Sequence, residues 1–176
     1  MVIAPIVNDG RINRSKTTLN KIVAATISLL RKNNNGQIPT AQEIAVKSGV
    51  GIRTVFRHID DMEGLIEEVN RRYLNDLESY IAKNNPKQNS KDQRIEHVIK
   101  ERFYLYNTYQ HVFNLTITSL NNSSAIRTGF IKFNHILRQR FEDLIPEIKM
   151  INKDKQNLID TLISVSYTHL RAHETD

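Results

Sequence analysis

Apolar residues recur every three or four positions along nearly the whole of this chain. Nowhere do β-branched residues alternate with polar ones for the length of a strand. A period of 3.6 buries one stripe of a helix and wets the other, so the pattern predicts an all-α fold of amphipathic helices. At 176 residues such a chain buries a real core without disulfides or metals, and it has the length for a small domain fused to a larger one. It holds no cysteine. That excludes disulfide frameworks, thiolate zinc sites, iron–sulfur clusters and cysteine nucleophiles together, and it suits a reducing compartment. No window approaches the roughly 18 uninterrupted apolar residues of a membrane-spanning helix. The segment from Met1 to Gly10 is too short and too soon interrupted for a signal peptide. The expected location is the cytoplasm, with no membrane partner.

Punctuation divides the periodic pattern. A polar, basic arm over about 1–16 is expected to be mobile. A first helix follows from about Thr18 to Asn33, with Ile22, Ala25, Thr26, Leu29 and Leu30 inward and Lys21, Arg31 and Lys32 outward. The run from Asn33 to Pro39 stops it, because asparagine and glycine tolerate left-handed backbone and proline disfavours helix before it. Thr40 with Glu43 forms a capping box that opens a short second helix carrying Ile44, Ala45 and Val46. Ser48-Gly49-Val50-Gly51 breaks that helix, and a third runs over about Ile52–Ile59. Asp60 and Asp61 are placed to cap a long fourth helix with the stripe Leu65, Val69, Tyr73, Leu77, Tyr80 and Ile81. Asn84–Ser90 is the clearest linker. Beyond it, helices are expected at about 91–109, 110–120, 123–145 and 152–165, separated by Asn121-Asn122 and Pro146.

Charge is unevenly spread along these elements. The chain carries a net +6. Residues 1–57 hold nine basic groups against Asp9 and Glu43, a net +7, whereas residues 58–176 hold 16 basic and 17 acidic groups, a net −1. The whole excess lies in the first third, which points to a polyanionic partner there, nucleic acid first and an anionic membrane second.

Two short helices joined by a tight glycine-containing turn, after a basic helix, describe a helix-turn-helix, whose second helix fits the major groove of B-DNA. In Ile52–Ile59 the spacing turns Val55, Ile59 and Ile52 toward a core. Arg53, Thr54 and Arg57 then project outward with Phe56 and His58 at the flanks.

The segment from Thr40 to Ile59, with Ile22–Leu30 upstream, resembles the TetR family of transcriptional repressors over about residues 18–70. The resemblance implies a three-helix DNA-binding domain (17–60), a connecting fourth helix (61–83) and a helical ligand-binding and dimerisation domain (91–165). It implies a ligand-responsive repressor acting as a homodimer on a palindromic operator, and no enzyme. Arg53 and Thr54 would read bases, Arg57 and His58 would hold phosphates, and Thr40 would offer a phosphate the N-terminus of the second helix. Arg11, Arg14 and Lys16 would follow the adjacent minor groove. Some positions depart from the family pattern: Gly51 replaces a capping serine, Phe56 a tyrosine, Ile59 a phenylalanine and Met62 a lysine. The loop before Pro39 is about two residues longer. The alternative is a helical interaction module whose basic end binds RNA or an anionic membrane.

In the second half, Phe103, Tyr106, Tyr109, Gln110 and Phe113 form one stripe, and Phe130, Phe133, Ile136, Leu137, Phe141 and Leu144 another. Both read first as core. Tyr104, Tyr106, Tyr109 and His135 are the candidates for lining a pocket for a small-molecule effector. Glu96, His97, Lys100 and Glu101 read as ordinary surface charges. There is no glycine-rich phosphate loop and no nucleophile elbow. His169 and His173, four apart, lack the glutamate between them that zincins require, so no metal or other cofactor is expected. Ser166–Asp176 resembles translated sequencing-adapter sequence; it is expected to be non-native and to leave the body one helix short.

Overall fold

The computed structural model describes residues 10–59, 62–86 and 89–150, and every regular element among them is helical. There are six α-helices: α1 (Gly10–Asn33), α2 (Ala41–Ser48), α3 (Ile52–His58), α4 (Met62–Lys83), α5 (Lys91–Ser119) and α6 (Ser124–Leu144), followed by a 3-10 turn over Pro146–Met150. The all-α expectation holds. Asp60 and Asp61, the expected helix at 152–165, the pair His169 and His173, and the tail from Ser166 lie outside the described residues, as does Met1–Asp9.

Local chemistry accounts for most boundaries. Thr40 accepts from the Glu43 amide (3.3 Å) while its own amide donates to the Glu43 carboxylate (2.7 Å), satisfying two donors that a helix start leaves free. Ser90 and Gln93 repeat this reciprocal cap at the start of α5. Ser123 caps α6 through the Ile126 amide (3.1 Å). Gly49, at φ 67°, closes α2 in the left-handed region, where a Cβ would be strained.

Two boundaries differ from the sequence expectation. Helix α1 starts at Gly10 rather than Thr18, so Arg14 and Lys16 ride on a helix and not on a mobile arm. No proline interrupts Gly10–Thr18, and the Thr17 and Thr18 hydroxyls donate back to the carbonyls of Asn13 (2.8 Å) and Arg14 (2.9 Å). They serve the helix interior instead of capping a start. Expected helices at 91–109 and 110–120 are one, α5, which kinks at Tyr109 (φ −112°, ψ 16°). The anticipated break is present as a bend.

The core runs without a gap from α1 to α6. Ile22, Val23 and Leu30 of α1 meet Ile44 of α2 and Val55 of α3; Leu65, Val69, Tyr73 and Leu77 of α4 continue it to Leu105, Phe133 and Leu137. Each such side chain contributes about 1.5–3 kcal/mol on burial. Helices α4 and α6 approach closely at Gly129, where a Cβ would lie 2.5 Å from the Asn70 side chain. The Asn70 amide donates there to the Ala125 carbonyl (2.8 Å). Glu63 of α4 accepts from the Ser124 hydroxyl and the Ala125 amide (both 2.8 Å), placing a carboxylate at the positive end of α6. Hydrogen bonds from Ser123, Ala125 and Ser124 hold that carboxyl below its usual range.

Some side chains depart from the pattern. Val46 and Phe103, expected on inward stripes, are 75% and 61% exposed. Glu101, expected in water, is buried against the buried Arg140 (3.2 Å), which also donates to the Asn84 carbonyl. A carboxylate enters a core where a guanidinium from another helix meets it, and no local pattern announces that. Glu96 and Lys100 do form a solvent-exposed pair (2.7 Å).

Candidate nucleic-acid interface

Helices α2 and α3 are anchored from beneath. Ile44 and Val55 are fully buried, and Ile59, just past α3, nearly so. Gly51 occupies the N-cap of α3 and supplies no side-chain hydrogen bond, so the start of the helix is closed by its carbonyl alone. That carbonyl accepts from the Thr54 amide (2.8 Å) and the Val55 amide (3.0 Å). With Val55 and Ile59 fixed inward, Arg53, Phe56 and Arg57 are exposed and Thr54 and His58 are half-buried on the flanks. Ile52 is also exposed, a correction to its expected inward place. It sits in the first turn of a seven-residue helix, one turn short of what would carry it over the core.

The outer face of α3 therefore presents two guanidinium groups one turn apart, flanked by an aromatic ring that is 62% exposed. Arginine forks match guanine edges and phosphates, and an exposed phenyl suits thymine methyl groups. Lys47 on α2 and Arg14, Lys16 and Lys21 on α1 add exposed positive charge. Arg11 lies within α1, but its side chain is outside the described set.

Thr40 is less available than the sequence suggests. Its hydroxyl also donates to the Glu43 carboxylate (2.8 Å), and those Thr40 contacts hold the carboxyl below its usual range. An anion of the chain's own already occupies the N-terminus of α2.

The four residues expected to line an effector pocket do not converge. Tyr104 is half-exposed and stacks on Tyr80, with ring centroids 4.9 Å apart. Tyr106 stacks on Phe113 at 5.8 Å. His135 is exposed on α6. Tyr109 reaches a cavity, set among α4, the second half of α5 and α6, and lined by Asn70, Tyr73, Tyr109, Phe113, Thr116 and Phe133. Its volume is about 40 Å³, room for a water molecule or two but not for an organic ligand.

Beside this cavity lies a polar cluster that sequence reasoning missed. The Tyr73 hydroxyl and His111 Nε2 are 2.7 Å apart and buried. Burial, and then the Arg31 charge, lowers His111 to about 4, which leaves its imidazole neutral. Burial pushes Tyr109 up to about 12, and raises Tyr73 further above the phenol range against the nearby Arg31. No local signal marks it: His111 stands two positions from Tyr109, off the aromatic stripe, and its partner is 38 residues away.

Two open grooves lie on the surface of the described residues. One, of about 510 Å³ between α4 and α6, mixes Glu67, Glu68 and Glu78 with Arg71 and Lys132. The other, of about 380 Å³, is apolar and lies against Ile95, Ile99, Phe141 and Ile148. Among the described residues there is no group of three or more metal-ligating side chains, and no helix is long and apolar enough to cross a membrane.

The class defined by these features is an all-α protein with one outward-facing basic helix face. No family model matches the chain, and no curated protein and no solved structure is significantly similar to it.

Proposed function

We propose that this chain is a sequence-specific DNA-binding transcriptional regulator of the TetR type. On this reading it is a ligand-responsive cytoplasmic repressor that acts as a homodimer on a palindromic operator. The observation that carries the reading is the outer face of α3: Arg53, Phe56 and Arg57 exposed over the buried anchors Val55 and Ile59, within the third of the chain that holds all the positive excess. The motif resemblance over about residues 18–70 supports it independently of charge. In this reading α2, the Gly49 turn and α3 form the helix-turn-helix, and two copies set their α3 helices about 34 Å apart, one turn of DNA. Arg53 and Thr54 read base edges, and Phe56 packs against a thymine methyl or a sugar. Arg57 and His58 hold phosphates, with Arg14, Lys16 and Lys21 along the backbone. An effector acts by being held better in the state whose α3 spacing does not fit the operator. Because the cavity at Tyr109 is nearly filled, that state has to open it.

The test is binding to a panel of duplexes over a salt series. Arg53→Ala is expected to weaken the preferred sequence by about 5- to 150-fold and poorer sequences much less, the loss of one bidentate base contact. Arg14→Ala is expected to weaken all duplexes alike and to reduce the salt slope by about one. An equal loss on every sequence for Arg53→Ala removes it from the base readers. Competition by RNA or anionic vesicles at roughly 150 mM salt, a concentration that already screens non-specific phosphate contacts, with no preference for duplex, would favour an interaction module instead.

A further inference from the structure

The loop between α1 and α2 is fastened to the far end of the fold by groups 76 to 82 positions away in the chain. The Asn34 side-chain amide donates to Gln110 (3.3 Å). The Asn114 amide donates to both the Asn34 carbonyl and its side-chain oxygen (3.0 Å each). The Thr118 hydroxyl reaches the Gly36 carbonyl. Gln110, Asn114 and Thr118 are spaced by four and therefore share one face of α5 beyond its kink at Tyr109.

The backbone of the loop is shaped for this seat. Asn34 has φ 41° and Gly36 φ 70°, both in the left-handed region. Gly36 is buried, and a Cβ on it would lie 2.6 Å from the Asn114 carbonyl oxygen and 2.8 Å from the Thr118 methyl. Only glycine satisfies the angle and the clearance together. A loop that merely joined two helices would need neither. Asn34 thus has a specific use: its short side chain bridges the loop to α5.

We propose that Asn34, Gly36, Asn114 and Thr118 form a latch that fixes the orientation of α2 and α3 relative to α4–α6, making Asn114 and Thr118 positioning residues for the outer face of α3. Helix α3 has only seven residues and is held from beneath by Val55 and Ile59. The latch acts at the entry to α2, and α2 leads directly into α3, so it adds a fixed point to the apolar contacts beneath them. Its consequence for DNA rests on the function proposed above; the latch itself does not.

The absence of cysteine makes the test direct. Spin labels on Lys47→Cys and Gln139→Cys, at exposed positions of α2 and α6, report the seating of α2. A control pair on Glu78→Cys and Gln139→Cys spans α4 and α6, where no change is expected. Thr118→Val and Asn114→Ala are expected to broaden the α2–α6 distance distribution, leaving the control pair and the helical circular dichroism unchanged. Thr118→Ser, which keeps the hydroxyl, restores the narrow distribution. Gly36→Ala should act in the same direction more strongly; if it fails to fold, the Thr118 series decides alone. On a duplex panel, latch variants should lose affinity by the same factor on every sequence, unlike Arg53→Ala. An unchanged α2–α6 distribution in both Thr118→Val and Asn114→Ala overturns the latch, as does equal broadening of the control pair. If the distribution broadens and no duplex binds even the unaltered protein, the latch stands and the proposed function falls.

Discussion

Replacing Glu101 by leucine tests the buried ion pair at the heart of the fold. Glu101 and Arg140 are 3% and 6% exposed, and their nearest atoms lie 3.2 Å apart. At an effective dielectric of about 20, that separation corresponds to roughly 5 kcal/mol of gross attraction. Much of it offsets the loss of water around two charges. Removing one partner is another matter, because the Arg140 guanidinium then stays buried with only the Asn84 carbonyl to receive it. Breaking a buried pair from one side costs about 3–5 kcal/mol. A chain of this size is stable by about 5–15 kcal/mol in all. With a urea dependence of about 2 kcal/mol per molar, Glu101→Leu should lower the unfolding midpoint by about 2 M. The double replacement Glu101→Leu with Arg140→Met removes both charges at similar volume and should recover most of the loss, leaving about 1 kcal/mol for the orphaned Asn84 carbonyl. Urea titrations of the parent, Glu101→Leu, Arg140→Met and the double variant, read by circular dichroism, supply the cycle. A single variant within about 1 kcal/mol of the parent would mean that the carboxylate remains solvated, and would refute its assignment to the core.

Two further outcomes follow from the body of the protein. The His111 pKa falls on folding from 6.5 to about 4, so between those values the unfolded chain holds a proton that the folded chain lacks, and stability declines as pH falls. From pH 7 to 5, above the carboxylate range, the decline should be about 2 kcal/mol; His111→Gln should flatten it, and an unchanged slope in urea titrations at the two pH values would show that the imidazole is not buried. Gly129→Ala puts a methyl 2.5 Å from the Asn70 amide and should displace its bond to Ala125. The expected loss is about 1–2 kcal/mol, read as a Tm about 3–6 °C lower; a Tm that rises, as helix propensity alone would give, contradicts the close α4–α6 approach.

What could be read in advance depended on how far apart the cooperating residues lie. Thr40 with Glu43 and Gly49 mark α2 within ten positions, and the structure has them as expected. Val55 and Ile59 were assigned inward from a spacing of four and are buried; Ile52, one turn earlier, was assigned by the same spacing and is not. A period shows which residues share a face but not where that face runs past its neighbour's end; Val46 and Phe103 instead sit two positions from buried Ile44 and Leu105, on the other side of their helices. The early start of α1 was hidden because Thr17 and Thr18 read equally as caps or as interior residues bonding back one turn. Beyond about a turn, legibility failed. Glu101 and Arg140 are 39 positions apart, Tyr73 and His111 38, Asn34 and Asn114 80. Each pair consists of residues that, taken singly, are ordinary surface or stripe positions. The candidate pocket residues are a parallel case: Tyr104, Tyr106 and Tyr109 are close in sequence but turn to three different neighbours, Tyr80, Phe113 and Tyr73.

Glu43 redistributes the work at the interface proposed for DNA. A helix N-terminus attracts a phosphate because its free amides and dipole are unanswered; at α2 the Glu43 carboxylate answers the dipole and takes the Thr40 amide and hydroxyl. The same contact that makes α2 stable leaves a negative charge beside its phosphate seat. Gly51 likewise brings no side chain to the start of α3. Binding strength on that reading has to come from side-chain cations instead: Arg53 and Arg57 on α3, Lys47 on α2, and the exposed Arg14, Lys16 and Lys21 on α1. Side-chain cations release counterions as backbone amides do not. Affinity should therefore fall more steeply with salt than for a reader that relies on helix ends, and orientation, which amides would otherwise impose, falls to the contacts that seat the α1–α2 loop on α5.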